Sequence, residues 1–436
     1  MARGRSARRV AVTGVGLITP IGTGLDAVWS ACCEGVSGVA EVSSYDASTF
    51  PVRIGGEVKD FSPRQHIDRK ALKLMRRSVQ LGVASTSLAW ADSGLDVGEV
   101  DPVRTGVYIG AGGGKMTDTE DFFPAVSDTL GPEGEVDIKA FGDKVLEKIN
   151  PLWLLTVLPN NALSFTSIAV NAQGPNMNIV NAGVSGAQSV GEAAKAIETG
   201  RCIVAVAGAY DSLIHGKEML DYWRLGLLAP SNDEPPETVC RPFDARRRGT
   251  VAAEGAGALV LEEWEHARAR RARIYGEVVG YGCATADTGL IELGADGAEV
   301  ARAIGKALAD AGRQPEEVGY INAHGNATVA SDATEAAGIT LALGAGVGRR
   351  VPVSSTKSMM GHTMAASGTI EAVISLAALS NQTVPPTINY TESDPACDLD
   401  VVAGAARPHP FDLALSISRG LGGHCVVLAL AAAEDS

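Results

Sequence analysis

The chain has 436 residues, with 37 basic and 51 acidic side chains and a formal charge of −14. That length suits two to three domains or one large duplicated α/β unit, and 45% hydrophobic residues exclude a disordered chain. The acidic excess excludes nucleic-acid binding as the main function. At the start, the basic residues Met1 to Arg9 precede an apolar run over 10–18 and imitate a secretory leader. Gly14, Gly16 and Pro20 break that run and no small-x-small cleavage site ends it, so a buried strand and a turn are expected. Further strands are expected over 105–109, 178–180, 203–209 and 256–262, and helices over 25–34, 77–93 and 185–199. Residues 112–150, with the turn sequence Gly131-Pro-Glu-Gly134, read as an excursion from the main sheet. The charged segment over 262–273 hands a first half, 1–265, to a second half, 266–436. There the expected strands are 274–281, 320–322, 351–353, 413–418 and 426–430, and the expected helices 298–311, 332–341 and 366–379. Such alternation from end to end points to a mostly parallel α/β sheet.

Seven cysteines, an odd number without a C-x-x-C pair, suggest neither a disulfide framework nor a zinc site, and a reducing cytoplasm is the expected setting. No window of 18 uninterrupted apolar residues occurs, so no membrane span is expected. Two glycine-rich segments invite a nucleotide reading. In Gly14-Val-Gly-Leu-Ile-Thr19 the third glycine position is threonine, which keeps a helix from packing closely. A P-loop at Gly110-Ala-Gly-Gly-Gly-Lys115 needs glycine at Ile109 and a hydroxyl at Met116, and both are absent.

Three segments carry chemistry. Asn322-Ala-His-Gly-Asn-Ala-Thr328 sets His324 just after an apolar strand. Lys357-Ser-Met-Met-Gly-His362 sets an ammonium five residues before an imidazole. Val180-Asn-Ala-Gly-Val-Ser-Gly186 turns a strand sharply into a helix. A strand-end histidine is more often a hydrogen-bonded structural residue than a catalyst. Residue chemistry alone leaves two imidazoles and an ammonium able to polarise a carbonyl or hold an anion.

These segments closely resemble the β-ketoacyl-ACP synthase family of the thiolase superfamily, the condensing enzymes of fatty-acid and type II polyketide synthesis. The likeness runs nearly end to end, through Arg241-Pro-Phe-Asp-Ala-Arg246, Gly255-Ala-Gly-Ala-Leu-Val-Leu-Glu262 and Val384-Pro-Pro-Thr-Ile-Asn-Tyr390. It implies a five-layered αβαβα fold of two similar halves, with no metal and no cofactor beyond the phosphopantetheine that an acyl carrier protein brings. It also implies a mechanism. An elbow cysteine takes an acyl chain, and two histidines, here His324 and His362, stabilise the enolate left when a malonyl thioester loses CO2. Lys357 would organise the second histidine, Glu335 is the acid near that lysine, and the glycine loop Gly420-Leu-Gly-Gly423 would share the oxyanion and gating roles with the elbow through Leu421 and Gly422.

The elbow cysteine's position is Gly183. Hydrogen is no nucleophile, so acyl transfer is expected to be lost, on the order of 10^6-fold. Ser185 is expected to face another way, and Cys425 to be a packed strand residue. Leu421 replaces a common gating phenylalanine, Arg246-Arg-Arg-Gly249 departs from an acidic-glycine pattern, and His424 and Cys425 replace a small polar pair; these changes point toward secondary metabolism. Three readings stay open: a ketosynthase whose nucleophile was replaced, by engineering, with glycine; a malonyl-ACP decarboxylase without condensation; and a chain-length-factor-like partner without catalysis. The resemblance further implies a homodimer or a ketosynthase/chain-length-factor heterodimer. Arg69, Lys70, Lys73 and Arg76, in helical spacing, are the expected dock for an acidic carrier protein, with a solvated helix face as the plain alternative. The apolar run Asn150-Pro-Leu-Trp-Leu-Leu-Thr-Val-Leu-Pro159 is expected to be a packed helix, with a subunit interface or the acyl tunnel as its other uses.

Overall fold

The computed structural model describes residues 8–112, 124–148, 151–230, 234–291, 293–294 and 296–433. Most of the basic leader-like segment and the second half of Gly110–Lys115 therefore lie outside the described residues. The first half supplies strands β1 (Val10–Thr19), β2 (Thr105–Ala111), β3 (Asn176–Ile179), β4 (Val204–Ser212) and β5 (Glu254–Glu263). The second supplies β6 (Gly276–Thr285), β7 (Tyr320–Asn322), β8 (Pro352–Ser354), β9 (Asp400–Val401), β10 (Leu413–Gly420) and β11 (His424–Ala431).

Neighbouring strands run β3-β2-β4-β5-β1 in the first half and β8-β7-β10-β11-β6 in the second, with β9 beyond β8. With β9 left out and the rest counted within each half, both orders are third, second, fourth, fifth, first. A short antiparallel contact, Ala11 opposite Glu277 and Val12 opposite Gly276, joins β1 to β6. The expectation of a mostly parallel sheet needs correction. Only the outer pairs, β2 with β3 and β4 and the set β7 to β10, are parallel. The middle is antiparallel, from β4/β5 and β5/β1 to β6/β11 and β11/β10. Both faces of these strands are covered, so their sequences carry no polar/apolar alternation to reveal direction.

Side chains alternate between two cores instead. Leu259 and Leu261 of β5 and Val426, Leu428 and Leu430 of β11 enter a shared central core. Their neighbours Ala258 and Val260, and Val427 and Ala429, enter separate outer cores. The central core is filled by helices α2 (Ser185–Glu198) and α5 (Ser367–Asn381). Helix α1 (Arg77–Ser93) packs on the outer face of the first half, and α3 (Ala298–Ala311) and α4 (Val329–Leu343) on that of the second. The result is five layers, helix–sheet–helix–sheet–helix, and β3 and β8 each hand the chain over to a central helix.

The run expected to be a packed helix is otherwise placed. A short helix spans Trp153–Val157, and Leu152, Leu154, Leu155 and Leu158 beside or within it are all exposed, Leu154 by 58%. In the described part of the excursion, the helix Ile138–Lys148 buries no side chain. No helix among the described residues is long and apolar enough to cross a membrane.

Candidate active site

Two matching elbows build the site. In each, a 3-10 turn opens on a non-glycine residue with positive φ and runs straight into a central helix that starts on serine. The first is Ala182–Val184, with Ala182 at φ 45°, before Ser185; the second is Met364–Ala366, with Met364 at φ 47°, before Ser367. Left-handed backbone costs a side-chain-bearing residue on the order of 1–3 kcal/mol, and such strain collects where a turn must aim a group. Gly183 occupies the first turn and His362 lies two residues before the second.

His324 follows β7. Its backbone N–H and that of Gly325 donate to the two oxygens of Glu335 on α4, at 2.7 and 2.8 Å, which fixes the loop. The Arg419 N–H donates to His324 Nδ1 at 3.2 Å, and the Met364 N–H donates to His362 Nδ1 at 3.2 Å. A ring nitrogen that accepts carries no proton, so each neutral imidazole bears its proton on Nε2. Burial, reinforced by the nearby Lys357 ammonium, holds both imidazoles well below the ordinary histidine range. The rings lie edge to face with centroids 5.1 Å apart. Two neutral N–H donors thus share one site.

A cleft open to solvent receives them, lined also by Gly183, Leu421, Arg419, Thr328 and the apolar Leu227, Leu290 and Ile291. Among the described residues no carboxylate lines it, and Arg419 is the one permanent cation. Such a chamber favours a group that develops negative charge.

Lys357 touches neither histidine through a hydrogen bond that the structure records. Its ammonium is paired with Glu371 of α5, both side chains fully buried. Burial pushes the Glu371 carboxyl up to about 7 against the pull of that ammonium. Lys357 therefore acts on the imidazoles through its field, not by contact. Gly422 is also corrected: its N–H donates to the Leu290 carbonyl at 2.7 Å, which takes it out of an oxyanion role. Leu421 does line the cavity. Ser185 Oγ accepts the Asn181 N–H at 2.8 Å and donates to the Ala182 carbonyl at 2.9 Å, so it locks the elbow. Cys425 is fully buried in β11, and burial pushes its thiol far up. Among the carrier-dock candidates, Arg69, Lys70 and Lys73 are exposed and Arg76 half-buried. They sit on a turn, the 3-10 segment Ala71–Leu74 and the start of α1, not on one helix as their spacing suggested.

Residue patterns left Glu371 and Arg419 unassigned, although each carried a signal. Glu371 is the lone charge in an otherwise uncharged helix, and Arg419 the lone charge in β10. A charge where the pattern demands burial implies a buried partner.

The β-ketoacyl synthase N-terminal domain family matches residues 7–267 and its C-terminal domain family residues 275–391. The chain is 40% identical over 422 residues to 3-oxoacyl-[acyl-carrier-protein] synthase 2 of Synechocystis sp., covering 97% of each. Its fold is similar to that of the ishigamide ketosynthase/chain length factor, with TM-score 0.87 and 31% identity over 98% of this chain and all of that one. It is also similar to the ketosynthase AntDE, solved with the type II polyketide acyl-carrier protein AntF, with TM-score 0.82 and 29% identity, covering 98% of this chain and 100% of that one.

Proposed function

The chain belongs to the β-ketoacyl synthase family, and from that premise we propose that it serves a carrier-protein-dependent fatty-acid or polyketide pathway in which it keeps the malonyl half of the condensing reaction and lacks the acyl-enzyme half. One observation carries the reading. Two buried imidazoles, each with Nδ1 occupied by a backbone N–H, turn Nε2–H into one cavity whose elbow bears only hydrogen. A malonyl thioester carbonyl held by these donors would have its enolate stabilised as the carboxylate leaves as CO2. With no acyl-enzyme to attack, the enolate takes a proton and malonyl-carrier protein becomes acetyl-carrier protein. Thioester and phosphopantetheine arrive together on the carrier protein, with Arg69, Lys70 and Lys73 as its basic landing. The same reading keeps the chain in a reducing cytoplasm with its seven thiols free.

Intact-mass spectrometry tests this. The expected result is acetyl-carrier protein from malonyl-carrier protein, and no acyl adduct on the chain after incubation with acyl-carrier protein. An adduct on the chain, or a β-ketoacyl product, contradicts it.

A second reading, a chain-length-factor-like partner, has its own support. The edge strand β3 exposes Met177, the adjoining Val180 is 50% exposed, and Ile168 is 75% exposed. An apolar face of this kind suits a second subunit. That reading predicts untouched malonyl-carrier protein and obligate co-purification with an active ketosynthase.

A further inference from the structure

The empty nucleophile position is not empty space. A Cβ built on Gly183 would lie 2.5 Å from the Arg419 carbonyl oxygen, and the next nearest atoms, at 3.6 and 3.7 Å, are also main chain of Arg419 and Gly420. Carbon and oxygen in contact need more than 3 Å, and a main-chain carbonyl cannot swing away as a side-chain tip does. Whether it can withdraw depends on what holds Arg419.

Arg419 is held from several sides. Its N–H donates to His324 Nδ1 at 3.2 Å. One terminal nitrogen donates to the Ser331 carbonyl at 2.8 Å and to Ser331 Oγ at 3.1 Å, and the other to Glu299 Oε1 at 2.6 Å. Arg419 and Glu299 are 4% and 2% exposed, so this ion pair is shielded from water and strongly coupled. The β10–β11 ladder, with Arg419 opposite Cys425, fixes the strand on its other edge. Glu299 lies in the first turn of α3 and Ser331 in that of α4, so the side chain bolts the end of β10 to two helices.

We propose that Arg419 is a positioning residue that holds its own carbonyl in the volume a nucleophile's Cβ would occupy, so that the elbow admits only glycine at position 183. The strand end and the glycine then form one unit. A cysteine introduced alone would have to push a bolted carbonyl aside, and its thiol would be displaced from the helix N-terminus that should activate it. This holds whether or not malonyl-carrier protein is turned over.

A double-mutant cycle tests it with readouts that need no substrate. Gly183→Ala and Gly183→Cys are each made in the otherwise unchanged chain and in an Arg419→Met/Glu299→Gln background, which removes the bolt without leaving a buried lone carboxylate. Thermal midpoints and the iodoacetamide labelling rate at position 183, located by peptide mass spectrometry, are measured. Gly183→Ala is expected to lower the midpoint clearly in the otherwise unchanged chain and much less in the released one. Labelling of Gly183→Cys is expected to rise on the order of tenfold on release, a coupling typical of residues in contact. If release abolishes folding, Ser331→Ala, which removes one bond of the bolt, gives a smaller shift of the same sign. Additive losses of stability, or equal labelling in both backgrounds, overturn the proposal.

Discussion

The two elbows share a backbone and differ in what they present. Ala182 and Met364 adopt nearly the same positive φ, and Ser185 and Ser367 start the two central helices. At the second elbow, His362 is provisioned: Met364 N–H and Ser367 Oγ meet its Nδ1, and Lys357 with Glu371 lies buried nearby. At the first, Gly183 presents a hydrogen against the Arg419 carbonyl. The two turns therefore share a geometry, while only the second is flanked by an ionisable side chain with its own partners. The first turn is held by the Ser185 lock on its backbone, whereas Ser367 Oγ meets the side chains of His362 and Thr363.

Several experiments can break this contrast. The largest effect is expected from Lys357→Met, which leaves Glu371 buried and unpaired and should cost about 3–5 kcal/mol in denaturant unfolding. Replacing both members with apolar residues should recover much of that loss, and failure to recover would mean the pair does more than satisfy itself. Next, His324→Ala or His362→Ala removes one donor from the enolate site and should slow CO2 release by about 10^2- to 10^3-fold at unchanged fold. Ser185→Ala removes the lock of the first elbow and should cost on the order of 1 kcal/mol in thermal unfolding. A subtler test is protonation. Because burial depresses both imidazole pKa values, the folded chain refuses protons that an unfolded chain accepts below about 6.5. These two groups therefore add stability as pH rises through that window, and lose it as pH falls. Asp332 and Glu371, raised to about 7 by burial, act in the opposite sense as pH rises through 7, so imidazole nitrogen NMR is the cleaner measurement. It should record neutral Nε2–H rings at pH 6; a transition near 6.5 contradicts the burial argument. The smallest effect is expected from Arg69→Glu/Lys73→Glu, a salt-sensitive loss of carrier-protein affinity of roughly tenfold or less.

Much of this was legible in the sequence, and for physical reasons. Helix Arg77–Ser93 and strand Tyr320–Asn322 fall where apolar periodicity and glycine punctuation put them. His324, His362 and Gly183 converge on one cavity as their motifs implied. Strand direction in the middle of the sheet was not legible, because residues covered on both faces show no alternation. Glu371 and Arg419 escaped because their partners, Lys357 and Glu299, lie 14 and 120 residues away in the chain. The exposure of Leu154 and its neighbours escaped because an apolar run does not say whether its cover is this chain or another.

The most direct test of the account is a time course of CO2 release from malonyl-carrier protein by this chain and by its His324→Ala/His362→Ala version, without any acyl donor. The account predicts steady release by the unsubstituted chain, with acetyl-carrier protein formed in equal amount, and loss of that release in the variant. No release above the variant's by the unsubstituted chain would contradict it, and would leave the paired imidazoles as supports of a partner subunit's fold.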